Sequence, residues 1–279
     1  MKSSDARLDA FEEVARAAIL EAGNRIQEKL GSLSFSQVYV KAPFDYVTAV
    51  DKESETLIVD RIRSHFPDHY IMSEETANQG LQNGISWIID PLDGTTNFIH
   101  GFPFVAVSIA VCEDKRPVLG FVLDPVRHEL FSARRGGGAY LNDERIHASE
   151  PPGLEEALIA TGFPHRTRDL LEAYLSTFRG VFHRVSGIRR AGAAALDLAY
   201  LAAGRVDGFW EAGLKAWDIA AGSLLTTEAG GYVSDFWGTE DYLHNGHVVG
   251  GTALVYPFLL EQVKTFLAPA LESKQAAGS

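Results

Sequence analysis

Asp90 and Asp93 stand three residues apart in SWIIDPLDGTTNFIHG, directly behind the apolar run Trp87-Ile88-Ile89. A carboxylate at the mouth of a buried strand loses hydration that only an opposing positive group can replace. More acids fall where strands end or helices begin. Asp51 follows YVTAV, Glu74 and Glu75 follow HYIMS, and Asp218 follows Trp217. Ligand sites of open α/β sheets gather at the carboxyl ends of strands, where five or six acids would repel one another. Hard divalent cations with oxygen ligands resolve that repulsion. Zinc spacing is missing: there is no CxxC, no HExxH and a single cysteine, Cys112. The oxygen-only donor set points to Mg²⁺, with Mn²⁺ as a substitute.

The three-residue spacing then reads as a tight turn. Pro91 fixes φ and Gly94 relieves backbone crowding after it. Such a turn aims both carboxylates at one point and leaves the Leu92 carbonyl as a third oxygen. GTTN presents backbone N–H groups and hydroxyls at a helix start, where an anion binds well. Cation ligands followed at once by an anion cradle suggest metal-assisted phosphoryl transfer. Taken singly, each piece has a plainer reading: a surface turn, a solvated Glu74-Glu75 pair, an N-cap at Asp51 or Asp218. Their coincidence along one chain carries the argument.

The elements that would position these residues are legible from periodicity. Helical spacing covers residues 6 to about 30, closed by Gly31, and about 52 to 66, closed by Pro67. HYIM is a strand. Residues 104–146 read as a β-meander with turns at Asp114-Lys115 and Gly136-Gly137-Gly138. After SEPPG the pattern becomes strand–helix alternation. ALIATG, DGFWE, YVSDF and HVVGGTALV are strands; 167–182, 192–203, 217–229 and 256–272 are helices. A layered α/β/α architecture follows. It forms one catalytic unit over 1–279, with halves at about 1–150 and 151–272 and a disordered tail over 273–279.

Composition narrows the function classes. With 279 residues and 46% hydrophobic content the chain can bury a large core. Its net charge of −12 is a poor match to a phosphate backbone, so direct nucleic-acid binding is not expected. The lone Cys112 ends an apolar run and reads as a small buried hydrophobe. The chain fits a reducing cytosol, and the acids in its first helix are unlike a signal peptide. No stretch approaches the ~18 apolar residues of a membrane span.

DPLDGTTNFIHGFP, with WDIAAGSLLTTEAGG about 120 residues later, resembles the paired signatures of the inositol monophosphatase family. SEET resembles its glutamate motif and YVTAVDKESE its upstream aspartate segment. ATGFP and AALDLAYLAAGRVDGFWE resemble the bacterial branch, and the match covers roughly residues 8 to 265. The resemblance implies an αβαβα sandwich of the sugar-phosphatase type, shared with fructose-1,6-bisphosphatases. It implies hydrolysis of a phosphate monoester, foremost myo-inositol 1-phosphate, with two or three Mg²⁺ ions, Li⁺ sensitivity and a homodimer. Residue by residue it implies Glu74, Asp90, the Leu92 carbonyl, Asp93 and Asp218 as metal ligands, with Glu75 in support. Asp51 and Thr95 would orient the attacking water with Glu74. Gly94 and Thr95 would grip the phosphate, and Gly192, Ala193, Glu211 and Asp218 would contact the substrate. One departure is Ser73, where several relatives have glycine before the glutamate pair. The fold also hosts fructose-1,6-bisphosphate, 3′-phosphoadenosine 5′-phosphate and histidinol-phosphate phosphatases, and bacterial relatives can partner the transcription machinery.

Overall fold

Val105, Val107, Ile109 and Val111 alternate with Ala106, Ala110 and Cys112, and the strand they build faces two different layers as a result. The computed structural model describes residues 2–32, 38–42, 45–77, 79–164 and 167–278. The long helix α1 (Lys2–Lys29) leads to a hairpin, β1 (Val38–Ala42) and β2 (Asp45–Thr48), and then to α2 (Ala49–His65). A seven-stranded sheet follows, in spatial order β3 (Tyr70–Ser73), β4 (Ile85–Asp93), β5 (Ala106–Glu113), β6 (Arg116–Asp124), β7 (Glu129–Arg134), β8 (Gly138–Leu141) and β9 (Glu144–Ile146). The short α3 (Thr95–Ile99) sits between β4 and β5. Only β3 and β4 run parallel; the other neighbours are antiparallel.

The second sheet holds β10 (Leu158–Thr161), β11 (Gly187–Arg189), β12 (Gly208–Ala212), β13 (Tyr232–Ser234) and β14 (His247–Gly251), in the order β11-β10-β12-β14-β13. Its helices are α4 (Leu171–Phe182), α5 (Ala194–Ala202), α6 (Ala216–Glu228), α7 (Tyr242–Asn245) and α8 (Val255–Gly278).

Side-chain size assigns the layers. The valine and isoleucine face of the first sheet packs on Phe11, Ile19, Ile26, Ile58 and Ile62 of α1 and α2. The alanine and cysteine face packs on α5 and α6 through Leu196, Ala199, Ala220, Ala221 and Leu224. Leu198, Leu201 and Ile219 turn the other way, onto Phe209 and Val248 of the second sheet. α4 and α8 cover that sheet's outer face through Tyr174, Val181, Leu259 and Val263. The result is an αβαβα sandwich, in which small residues let two helices fit between two sheets. A Cβ at Gly120 would come within 2.9 Å of the Ala221 carbonyl oxygen, and one at Gly222 within 2.5 Å of Leu198. Interiors packed this closely leave no room to accommodate it.

Several boundaries differ from the sequence reading. α2 begins at Ala49 rather than about Lys52, because Thr48 caps it and Asp51 returns the bond to the Thr48 N–H at 2.8 Å. α4 begins at Leu171, behind a short 3₁₀ turn over Arg168–Leu170. The last helix does not stop near 272 but continues to Gly278, through residues whose helix propensity is mostly good. The hairpin β1–β2, the three-residue β11 and the four-residue α7 are too short to leave a periodic signature.

Candidate active site

The Asp90–Asp93 segment is a bulge within β4 and not a turn after it. Asp90 pairs with Ser108 and Asp93 with Ala106, so three steps along β4 match two along β5. Residues three apart on a regular strand point to opposite faces. The extra residue corrects the phase, because Ser108 and Ala106 share the face toward α6. Both aspartates therefore aim at the start of that helix. Pro91 has no N–H to miss from the ladder, and its carbonyl accepts Ser54 Oγ at 2.7 Å. The Leu92 N–H donates to Asp90 Oδ1 at 3.0 Å.

Helix starts fix the carboxylates. Asp93 Oδ2 accepts the N–H of Ala195, in the first turn of α5, at 2.8 Å. Asp218 Oδ2 accepts the Lys215 N–H ahead of α6 at 2.7 Å. Gly94 caps α3 with φ +89°, and a Cβ there would meet the Phe104 carbonyl at 3.0 Å. Left-handed backbone without space for a side chain is glycine's role. Asp51 is buried and accepts hydrogen bonds from the Thr48 N–H, from Thr48 Oγ1 at 2.5 Å and from Thr95 Oγ1 at 3.0 Å.

One ligand atom from each of Asp90, Asp93 and Asp218 lies within 4.8 Å of the others. Burial, followed by the Glu74, Asp93 and Asp218 carboxylates, pushes the Asp90 carboxyl well above its ordinary range. Asp93 is pushed the same way by burial and then by Asp218, with the Ala195 N–H opposing. Three clustered buried carboxylates fit a hard divalent cation: its charge would offset the repulsion, and oxygen is its preferred donor.

Glu74, the Leu92 carbonyl's residue, Gly94, Thr95, Gly192 and Glu211 line the same cavity, of about 560 Å³. Glu74 stands outside the 4.8 Å group yet acts electrostatically on Asp90 and Asp93. Glu75 is half-buried and, like Asp51, does not line the cavity. Ala193 is buried behind the wall, and its neighbour Ala194 provides the lining. Ser73 ends β3 with an ordinary φ, so no glycine is required there, and its buried hydroxyl has no hydrogen-bond partner among the described residues.

Three residues gained no role in the sequence reading. The Asn97 amide donates to the Phe104 and Ala191 carbonyls at 2.8 and 2.9 Å, tying α3 to the loop before α5. Gly162 leaves room for Glu211, whose carboxyl carbon would lie 2.0 Å from a Cβ at 162. Arg190 lines the cavity. Asn97 and Gly162 lie inside GTTN and ATGFP, but neither spacing says what they touch.

The loop between Glu211 and Asp218 is clamped from below. The Gly213 N–H donates to His247 Nδ1 at 3.3 Å, and the Leu214 N–H to the Gly246 carbonyl at 2.8 Å. His247 stacks on Phe236 with ring centres 5.4 Å apart, and burial pushes its pKa down to about 4. In the unfolded chain the ring titrates near ~6.5. Between those values the unfolded chain binds a proton that the native state refuses. Stability should therefore fall as pH drops from about 6.5 to 4, by roughly 3 kcal/mol at most. His247→Asn keeps an acceptor near Nδ1 without the titration. In urea unfolding, the wild-type-minus-variant stability should rise with pH across that window, and a flat difference would refute the assignment.

The αβαβα sandwich thus carries an acidic cluster at the ends of its strands and at helix starts. The sequence model of the inositol monophosphatase family matches residues 7–275. The chain belongs to that family. It is 48% identical over 264 residues to the Nus factor SuhB of Pseudomonas aeruginosa, covering 93% of this chain and 97% of that protein. It is 45% identical over 248 residues to the inositol-1-monophosphatase of Mesorhizobium japonicum, covering 88% and 93%. The crystal structure of the extragenic suppressor protein suhB from Bartonella henselae superimposes with a TM-score of 0.87 at 42% identity, covering 91% and 98%. No helix among the described residues is long and apolar enough to cross a membrane.

Proposed function

We propose that this chain is a Mg²⁺-dependent phosphate monoesterase acting foremost on myo-inositol 1-phosphate. The observation that carries this reading is the buried Asp90–Asp93–Asp218 group, which opens on a cavity beside the start of α3. Asp90, Asp93 and Asp218, with Glu74 and the Leu92 carbonyl, would hold two or three Mg²⁺ ions. Bound there, Mg²⁺ supplies Lewis acidity that makes water nucleophilic at neutral pH and offsets charge on the departing ester oxygen.

The chain's own residues orient the reaction. Hydrolysis forms a P–O bond to water and breaks the ester P–O bond. The Gly94 and Thr95 N–H groups face the phosphate from the open end of α3. Thr95 donates its hydroxyl hydrogen to Asp51, so it could pass that proton to the Asp51 carboxylate while taking one from the attacking water. Glu74 borders the same space. Glu211, buried at the end of β12 with its carboxylate over Gly162, binds substrate hydroxyls. The resemblance adds Li⁺ sensitivity, a homodimer and a cytosolic location to the proposal.

Glu211→Gln separates substrate recognition from metal binding. It should lower kcat/KM for inositol 1-phosphate by ~1–3 kcal/mol, the scale of a lost charge-assisted hydrogen bond. p-Nitrophenyl phosphate, without vicinal hydroxyls, should lose far less, and the Mg²⁺ requirement should stay. Equal losses on both substrates would move Glu211 out of specificity. The substrate itself is tested by phosphate release from inositol 1-phosphate, fructose 1,6-bisphosphate, 3′-phosphoadenosine 5′-phosphate and histidinol phosphate. The largest kcat/KM should fall on the first; a lead for any other would reassign the enzyme.

A second role, as a protein partner of the transcription machinery, is favoured by one observation: the 48% identical relative named Nus factor SuhB. Co-purification of RNA polymerase with the tagged chain from its own cells supports it, and its absence under gentle lysis counts against it.

A further inference from the structure

A groove of about 1600 Å³ lies behind the loop from Glu211 to Asp218, and Leu214 lines both this groove and the aspartate cavity. Its charge is inverted against the rest of the chain. Five lysines and arginines line it beside three carboxylates, in a sequence with 25 lysines and arginines and 37 aspartates and glutamates. Lys115 and Arg116 come from the turn between β5 and β6, Arg135 from just after β7, Lys215 from the residue before α6 and Lys274 from α8. Lys274 is engaged by Asp169 at 2.7 Å. The other four are exposed and, among the described residues, none is in an ion pair. Of the carboxylates, Asp114 accepts the Gly84 N–H at 2.9 Å, Asp241 stands 3.4 Å from His244, and Glu240 completes the set.

The two arginines are neighbours across strands. The Arg135 N–H donates to the Val118 carbonyl at 3.0 Å, two residues along β6 from Arg116. Like charges facing each other across strands are unfavourable, and an anion between them would offset the repulsion. Guanidinium forks match phosphate with paired hydrogen bonds, and the lysines add point charges. Thr167 also lines the groove, and its buried hydroxyl has no hydrogen-bond partner among the described residues. The groove exceeds the ~300–1,000 Å³ usual for a compact ligand, and its unpaired cations come from three separate segments. One small anion cannot engage them all, whereas a linear polyanion can. We infer that this groove is a second ligand site, separate from the aspartate cavity, for a small molecule carrying a chain of phosphates. The inference goes beyond the phosphatase reading and does not rest on it.

The test is calorimetric binding of tripolyphosphate and of ATP to the EDTA-treated full chain, with sulfate as the single-anion control. Without metal the aspartate cavity repels anions, so binding reports on the groove. Tripolyphosphate should bind more tightly than sulfate, and its affinity should fall as salt rises. The double variant Arg116→Gln/Arg135→Gln should weaken it roughly 10- to 100-fold, as for lost hydrogen bonds to charged groups. Hydrogen exchange should slow on binding over residues 113–117, 134–136 and 213–216. ATP binding more tightly than tripolyphosphate makes the ligand a nucleotide, and equal affinity makes it the phosphate chain alone; either supports the site. Binding of neither, sulfate binding as tightly, an unaffected double variant, or protection confined to residues 92–97 overturns the inference. If the double variant does not fold, Arg135→Gln alone decides, with an unchanged dissociation constant overturning it.

Discussion

Asp93→Asn should lower kcat by two to three orders of magnitude and, at neutral pH, raise the melting temperature of the metal-free protein. The first effect follows because a cation at this site contributes several kcal/mol of charge stabilisation, and each 1.36 kcal/mol is tenfold in rate. The second follows from burial and from the Asp218 carboxylate, which together push the Asp93 carboxyl well above its ordinary range. Neutralising it removes a buried like charge. The fold should survive, because the asparagine carbonyl can still accept the Ala195 N–H that Asp93 accepts at 2.8 Å. For a chain of this size a gain of about 1 kcal/mol is roughly 2–4 °C. Steady-state kinetics with Mg²⁺ and thermal unfolding in EDTA read the two effects separately. A lower melting temperature together with lost activity would make Asp93 a structural residue, not a ligand.

Thr95→Ala should cost ~10²- to 10⁴-fold in kcat, the range for a positioned proton-transfer group, with little loss of stability. Thr95 Oγ1 donates to Asp51 at 3.0 Å and lies 3.2 Å from the Leu92 carbonyl. Both acceptors lie within the protein, and Thr95 lines the cavity. Thr95→Ser retains the hydroxyl and should recover most of the rate. Asp51→Asn should differ in kind. Asp51 accepts from Thr95 and from the Thr48 N–H and hydroxyl, which form the cap of α2, and an amide nitrogen cannot accept. That variant should lose activity and also about 0.5–2 kcal/mol of stability, as for a lost helix cap. Chemical denaturation with kinetics on the three variants distinguishes these outcomes. If Thr95→Ser is as slow as Thr95→Ala, the hydroxyl is not the working group.

How much of this was legible depends on the range of the interaction. The order of strands and helices was readable because β5 alternates large and small apolar residues and the helices repeat at 3.6. The acids were readable as a set because each follows an apolar run. The bulge was not: a proline three residues before a glycine looks the same in a turn and in a strand with one extra residue. Only pairing to Ser108 and Ala106 distinguishes them. Asn97, Gly162 and His247 act on residues 94, 49 and 34 positions away respectively. Their partners are chosen by how the sheets and helices stack, which no local window contains. Ala193 and Ala194 show the finer limit, since one residue of phase decides which faces the cavity.

The central claim is that phosphate ester hydrolysis occurs at the aspartate cluster and needs a divalent cation there. The direct measurement is release of inorganic phosphate from inositol 1-phosphate by EDTA-stripped protein, titrated with Mg²⁺, for wild type beside Asp93→Asn and Asp218→Asn. The stripped wild type should be inactive and recover saturably with Mg²⁺, while neither variant recovers at the same concentrations. Undiminished turnover by the stripped protein, or full recovery in both variants, would contradict it.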